Sequence, residues 1–324
     1  MPAFVLSRIL QALPVMLAVA LIAFTLFTFV GDPIATMLGQ EFSVAQRDAL
    51  VAALGLDQPV PIQFLRFIGN ALRGEFGLSY RLSRPVSALF AERAPATLEL
   101  AFCASVVALA VGLPAGVYTG LHTRSPLSRA FLTFSLVGVS LPTFLIGSLL
   151  ILVFSVWLGW LPSFGRGDTV QLGWWSTGFL TLSGLKALIL PSITLGLFQL
   201  TLILRLVRSE MLEVMRSDYV KFARARGLRD RSINFGHALR NTLVPVITIV
   251  GLQLGSIIAF SIVTETVFQW PGMGLLFIQS VSSADIPVMA AYLLLISAVF
   301  VTINLVVDLL YYAVDPRLRA GRGH

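Results

Sequence analysis

The chain has 324 residues, of which 56% are hydrophobic and only 12% charged, with a mean hydropathy of +0.87. Soluble domains carry about 25% charged residues, so this composition excludes an ordinary soluble enzyme and predicts an all-α membrane protein embedded in a lipid bilayer. The net charge of +7 lies in short loops beside apolar runs, which is the pattern of membrane orientation and argues against nucleic acid as a partner.

The first apolar run extends from Ile9 to Val30 behind Arg8. It is longer than the apolar stretch of a signal peptide, and no small-x-small cleavage site follows at Gly31-Asp32-Pro33. It reads as a retained first span within an N-terminal unit 1–30. Residues 31–97 hold six Arg against six Asp and Glu, or seven with Glu99, a balance that suits an exterior, periplasmic segment. Two short helices are expected in it. One runs from Ser43 to Leu54 with a stop at Gly55, followed by the breakers Pro59 and Pro61; the other runs from Gln63 to Leu72 and stops at Gly74.

Residues 98–316 then hold five further apolar runs, at 98–120, 131–158, 187–207, 243–268 and 287–313. Each is long enough for a hydrocarbon core of about 30 Å, and the third and sixth spans exceed it, which predicts tilt. Basic residues fix the orientation. Arg8, Arg124 with Arg129, nine Lys and Arg from Arg205 to Arg240, and Arg317, Arg319 and Arg322 all fall on one side of a six-span chain. Both termini, the 209–240 loop and the 317–324 tail are therefore expected in the cytoplasm. The other side carries Arg166 with Asp168, then Asp285, and the tryptophans Trp160, Trp174 and Trp175. These read as an interfacial belt, ahead of a substrate-stacking role.

Catalytic chemistry is missing from the sequence. It contains no Gly-x-x-x-x-Gly-Lys-Ser/Thr phosphate loop, no His-Glu-x-x-His and no Gly-x-Ser-x-Gly turn. Cys103 alone cannot form an internal disulfide, and with three scattered His it gives no metal-site spacing. The expectation is a non-enzymatic chain with neither metal nor cofactor of its own. Ionisable residues in or beside the spans are few: Glu265 near the outer end of the fifth, Asp308 near the cytoplasmic end of the sixth, and Lys186 at a boundary. A packing role is preferred for Asp308. Glycines at Gly112-Leu113-Pro114, Gly138 to Pro142, Gly251 and Gly255 predict close helix contacts or kinks. A secondary transporter or channel that needs no ATPase is the alternative reading. The lack of mid-membrane acids and of an internal repeat counts against it, and points to energy supplied by another chain.

The cytoplasmic loop contains a helix of its own over about Ser217 to Leu228. Ser217 is expected as N-cap, Asp218 lies where the helix dipole favours an anion, and Gly227 is placed for a left-handed C-terminal stop. Arg224 and Arg226 suit the last turn, and Met215, Tyr219 and Phe222 form an expected apolar stripe. Such a helix needs a partner, and another protein is the natural one.

These residues resemble the permease subunits of bacterial ABC importers of the dipeptide, oligopeptide and nickel type, as the first permease of the pair. The loop is similar to their Glu-Ala-Ala-x-x-x-Gly motif. Lys221-Phe222-Ala223 stand in its first three places, so that only Ala223 and Gly227 match, while Asp218 to Leu228 fits the peptide-permease wording. Further blocks extend the resemblance over nearly the whole chain: Gly55 to Pro59 with Gln63, Gly74 to Ser79, Pro95 to Leu100, His237 to Asn241, Glu265 to Gly272, and Leu309 to Arg317. The resemblance implies a bacterial inner-membrane protein paired with a second homologous permease. It also implies two cytoplasmic ABC ATPases, which carry ATP and magnesium, and a periplasmic or extracellular substrate-binding protein. The loop helix, with Ser217, Asp218, Tyr219, Phe222, Ala223, Arg226, Gly227 and Leu228, would be the ATPase-coupling element. Dipeptides or oligopeptides are the implied cargo, with nickel or glutathione as alternatives.

Overall fold

The computed structural model describes residues 2–26, 28, 51 and 57–314. Apart from Val51, the expected Ser43–Leu54 helix with its Gly55 stop lies outside the described residues, as does the 317–324 tail. Helices dominate the rest. In chain order they are α1 (Pro2–Thr25), α2 (Val60–Leu72), α3 (Val86–Leu121), α4 (Pro126–Ser140) and α5 (Thr143–Leu150), the last widening into π-helical turns over Ile151–Trp157. A two-stranded antiparallel hairpin follows, β1 (Val170–Leu172) and β2 (Trp175–Thr177), with Val170 opposite Thr177. Then come α6 (Leu182–Arg216), α7 (Asp218–Ala225), π-helical turns over Ser232–Ala238, α8 (Leu239–Val267), α9 (Met273–Ser282) and α10 (Ile286–Val314).

Three of these helices are unbroken and apolar enough to cross a membrane, and the number rises to five if each of two bent pairs counts as one span. The expected third span, 131–158, is not one helix. It breaks between α4 and α5, whose axes differ by 113°. The cause is local. Pro142 offers no N–H to continue α4, and a residue before proline is pushed out of the helical region; Leu141 accordingly sits extended at φ −98°, ψ 137°. The second and fourth spans are longer than the apolar runs suggested. The former begins at Val86 and not at 98, and the latter runs from Leu182 to Arg216 and not from 187 to 207. Helices of 36 and 35 residues are about 50 Å long at 1.5 Å per residue, well beyond a core of about 30 Å, so their polar ends continue outside the apolar zone. The hairpin and the ten-residue α9 were not expected from the sequence.

A stripe of small residues joins α3 to α6. A Cβ on Gly112 would lie 3.0 Å from the Leu200 carbonyl, one on Gly116 2.6 Å from Val207 Cβ, and one on Gly120 2.7 Å from Met211 Cβ, while Gly196 meets the Ala104 carbonyl at 2.7 Å. Residue numbers rise together on both helices, so α3 and α6 run parallel with their backbones in near contact. Four-residue spacing on one helix face is what permits this approach. Gly251 against Val307 and Gly255 against Phe300 do the same for α8 and α10, which run antiparallel. The expected close-packing role of Gly112, Gly138, Gly251 and Gly255 is met in each case, with Gly138 against Thr201.

The bundle has two distinct ends. At one, Arg8 of α1 pairs with Asp308 of α10 at 3.0 Å, so Asp308 is a packing partner between helices. At the other end the blocks around Pro95 and Trp270 meet. Glu265 is fully buried and accepts from Thr97 Oγ1 at 2.7 Å, Ser261 Oγ at 3.2 Å and the Leu275 amide at 2.9 Å, so it closes the N-terminus of α9. Thr97 accepts the Met273 amide at 2.8 Å, and the Trp270 indole donates to the Ala96 carbonyl at 2.9 Å. Beside them Glu99 and Arg166 form a buried ion pair of 2.6 Å. Glu99 also accepts from Trp175 Nε1, and Arg166 donates to the Ser176 carbonyl, so the pair fixes the hairpin onto α3. Asp285 takes the Ser79 hydroxyl and the Tyr80 amide, and thereby ties residues 79–81 to the start of α10. Partners within hydrogen-bond reach offset the large cost of burying these carboxylates.

Candidate coupling site

The helix α7 forms where the sequence placed it, between the end of α6 and the π-helical turns ahead of α8. Its C-terminus follows the expected stop. Gly227 lies at φ +77° with no atom within 4 Å of a would-be Cβ. The Gly227 amide donates to the Arg224 carbonyl at 3.0 Å, and the Leu228 amide reaches back to Ala223 at 3.3 Å. These two bonds are the Schellman arrangement, and they satisfy carbonyls that the last turn would leave open.

The N-terminus differs from expectation. Ser217 has the extended N-cap backbone, φ −66° and ψ 154°, but its hydroxyl makes no capping bond to α7. It donates instead to the Val214 carbonyl. Only one residue separates α6 from α7, and the hydroxyl serves the orphan carbonyl behind it. Asp218 and Lys221 pair at 2.8 Å in the open, and the Lys221 ammonium holds the Asp218 carboxyl below its usual range. Arg226 falls just beyond the helix, with its guanidinium 5.8 Å from the Phe222 ring centre, a cation–π arrangement.

The expected stripe of Met215, Tyr219 and Phe222 does not lie on one face. Met215 packs inward with Val214 against a small core made of Val220, Ala223 and Ile233. Val220 and Ile233 are fully buried, and neither was among the expected site residues. Their spacing could have revealed them, since Val220 and Ala223 are three apart on the face opposite Phe222. That core fixes α7 from behind. Phe222 stands 64% exposed and Tyr219 42% exposed on the outward side. The Tyr219 hydroxyl accepts from Asn241 Nδ2 at 2.8 Å, tying α7 directly to the first turn of α8. α7 is therefore in contact with both α6 and α8.

Comparison with known families settles what kind of chain carries this arrangement. Residues 112–320 match the binding-protein-dependent transport system inner membrane component, and residues 1–101 match the N-terminal region of the same membrane components. The chain belongs to this family. It is thus a permease component of an ABC-type transport system. It is 40% identical over 336 residues to the di/tripeptide transport system permease protein DppB of Pseudomonas aeruginosa, covering 99% of this chain and 100% of that one. It is 38% identical over 333 residues to the dipeptide transport system permease protein DppB of Escherichia coli K12, covering 98% of each. It is 37% identical over 321 residues to the oligopeptide transport system permease protein AppB of Bacillus subtilis, covering 98% and 99%. The fold is similar to the solved structure titled inward facing conformations of the MetNI methionine ABC transporter, with a TM-score of 0.55 and 19% identity over 68% of this chain and 93% of that one.

Proposed function

We propose that this permease carries dipeptides or short oligopeptides across a bacterial inner membrane, driven by ATP hydrolysed on separate subunits, and that α7 is the element the ATPase grips. The observation that carries the reading is the two-sided build of α7. Val220 and Ala223 lock it to the bundle, while Phe222, Tyr219 and Arg226 face outward as an aromatic and arginine patch of the kind that anchors protein interfaces. Closure of the ATPases would then move α6 and α8 as rigid bodies. The peptide cargo rests on the names of the full-length relatives.

The partners in this reading are a second permease, two cytoplasmic ATPases and an external binding protein, and the chain itself does no chemistry. In this reading the chain makes six spans, with both termini and α7 in the cytoplasm; the Arg8–Asp308 pair, which joins the start of α1 to the last part of α10, fits the two ends lying on one side.

The test is uptake of a labelled dipeptide by the reconstituted transporter, with and without the ATPases. Uptake that needs both the ATPases and ATP supports the reading. Uptake by the permeases alone would favour a secondary transporter. A reporter active only outside the cytoplasm, fused after Gly165 or Arg231, checks orientation: activity after Arg231 would overturn it.

A further inference from the structure

At the end of the bundle opposite α7, a cavity of about 300 Å³ opens between α1, α2, residues 75–80 and the start of α10. Its floor is apolar, with Phe24, Phe67, Phe76 and Ala290, and among the described residues its charged lining residues are Arg66 and Glu75. Both are exposed, and neither belongs to an ion pair among the described residues.

The helix beside the cavity has two unlike faces. One face of α2, with Phe64, Phe67, Ile68 and Ala71, packs on Ala20, Ala23, Ala290 and Leu294, and the Phe24 ring lies 5.3 Å from Phe64 and 5.8 Å from Phe67. The remaining face is itself divided. Leu65 and Leu72, seven residues and so about two turns apart, line one edge and are 68% and 84% exposed. Arg66 and Arg73 line the adjacent edge at the same spacing. A helix with exposed leucines along one edge and arginines along the next is built to lie at a lipid headgroup boundary.

Its C-terminus places the acid. Gly74 at φ +75° turns the chain back, with the Gly74 amide donating to Ala71 at 3.0 Å and the Glu75 amide to Asn70 at 2.9 Å. Asn70 is one turn beyond Arg66, so the turn brings Glu75 to the cavity that Arg66 lines. A cation and an anion at the rim of an apolar slot match a zwitterion with a hydrocarbon tail. The volume lies at the lower limit of small-ligand sites.

We infer that this cavity binds one zwitterionic aminophospholipid, with its phosphate on Arg66, its ammonium on Glu75 and part of one acyl chain among Phe24, Phe67, Phe76 and Ala290. The inference rests on the chain spanning a membrane and not on the nature of its cargo.

The test is native mass spectrometry of the whole transporter, released from bilayers holding equal amounts of phosphatidylethanolamine, phosphatidylcholine and phosphatidylglycerol. One phosphatidylethanolamine should remain per copy of this chain, preferred over phosphatidylcholine by roughly tenfold. Glu75→Gln should abolish that preference, because it removes the partner of the primary ammonium. Arg66→Gln should lower retention of every phospholipid, and Arg66→Lys should restore part of it. Equal retention of the three lipids by the unaltered protein, or no change in Glu75→Gln and Arg66→Gln, would overturn the proposal, as would displacement of the lipid by a dipeptide. Dipeptide uptake measured on the same preparations separates the two readings: failed uptake leaves the lipid measurement standing.

Discussion

The helices α2 and α7 lie at opposite ends of the molecule and are built alike. Both are short, at 13 and 8 residues, and both are amphipathic. Both end on a glycine in the left-handed region, Gly74 at +75° and Gly227 at +77°, closed by the same pair of backbone bonds. Neither is long enough to be stable alone in water, so each is held by an inward face: Phe64, Phe67 and Ala71 for α2, Val220 and Ala223 for α7. The outward faces differ. That of α2 carries aliphatic Leu65 and Leu72, whereas that of α7 carries aromatic Tyr219 and Phe222 with Arg226 close by. Aliphatic side chains beside arginines suit lipid, and aromatic side chains beside arginine suit a protein pocket. The inner face tells where a short helix is fixed, and the outer face is where the two proposals part.

Substitutions on the two outer faces should break this symmetry. The largest effect is expected from Phe222→Asp, which puts a charge into the proposed protein contact. Uptake should fall to background at unchanged membrane level, and the ATPases should be lost during purification. Leu65→Asp is the matching change on α2 and should leave ATPase retention intact. If both variants lost the ATPases equally, the division of roles would fail.

The inner faces come next. Val220→Asp buries an unpaired charge against Ile233 and Met215, at a cost of about 3–5 kcal/mol. That should detach α7 and expose residues 224–231 to protease, while Val220→Ile should be tolerated.

The glycines give the sharpest comparison. Gly227→Val and Gly74→Val should carry the same backbone strain, about 1–2 kcal/mol each, since neither position has an atom within 4 Å of an added Cβ. Equal strain should give unequal outcomes. Gly227→Val should cut uptake severalfold, and Gly74→Val should leave uptake near normal while loosening lipid retention. The smallest effect is expected from Asp218→Asn. Its pair with Lys221 is fully in solvent, where such pairs contribute little, so uptake at neutral pH should not change. Because its carboxyl is held below the usual range, the pair persists as pH falls until the medium is well into the acid range, and uptake from pH 8 to 5 should be the same for Asp218→Asn and the parent.

Much of the membrane architecture was legible in the sequence, because lipid imposes one simple rule: long apolar runs must be helices with their polar groups satisfied within the segment. The runs at 187–207, 243–268 and 287–313 became α6, α8 and α10 in this way, with ends displaced by the water-exposed turns that hydropathy does not see. The stop at Gly227 was legible because a left-handed residue has few chemical solutions. The hydroxyl of Ser217 was misread as a cap, since sequence alone does not say that Val214 offers a competing carbonyl one turn back.

The sequence by itself thus determined that the chain is a helical membrane protein, where the short helix α7 sits and how that helix ends, all from local rules of burial and backbone geometry. Only the tertiary structure decided which partners the buried acids take. Glu265 lies 168 residues from Thr97 and Asp285 lies 206 from Ser79, and no local pattern encodes such meetings. It also decided which face of α7 is free, because Tyr219 and Phe222 face outward only when Val220 has already found Ile233.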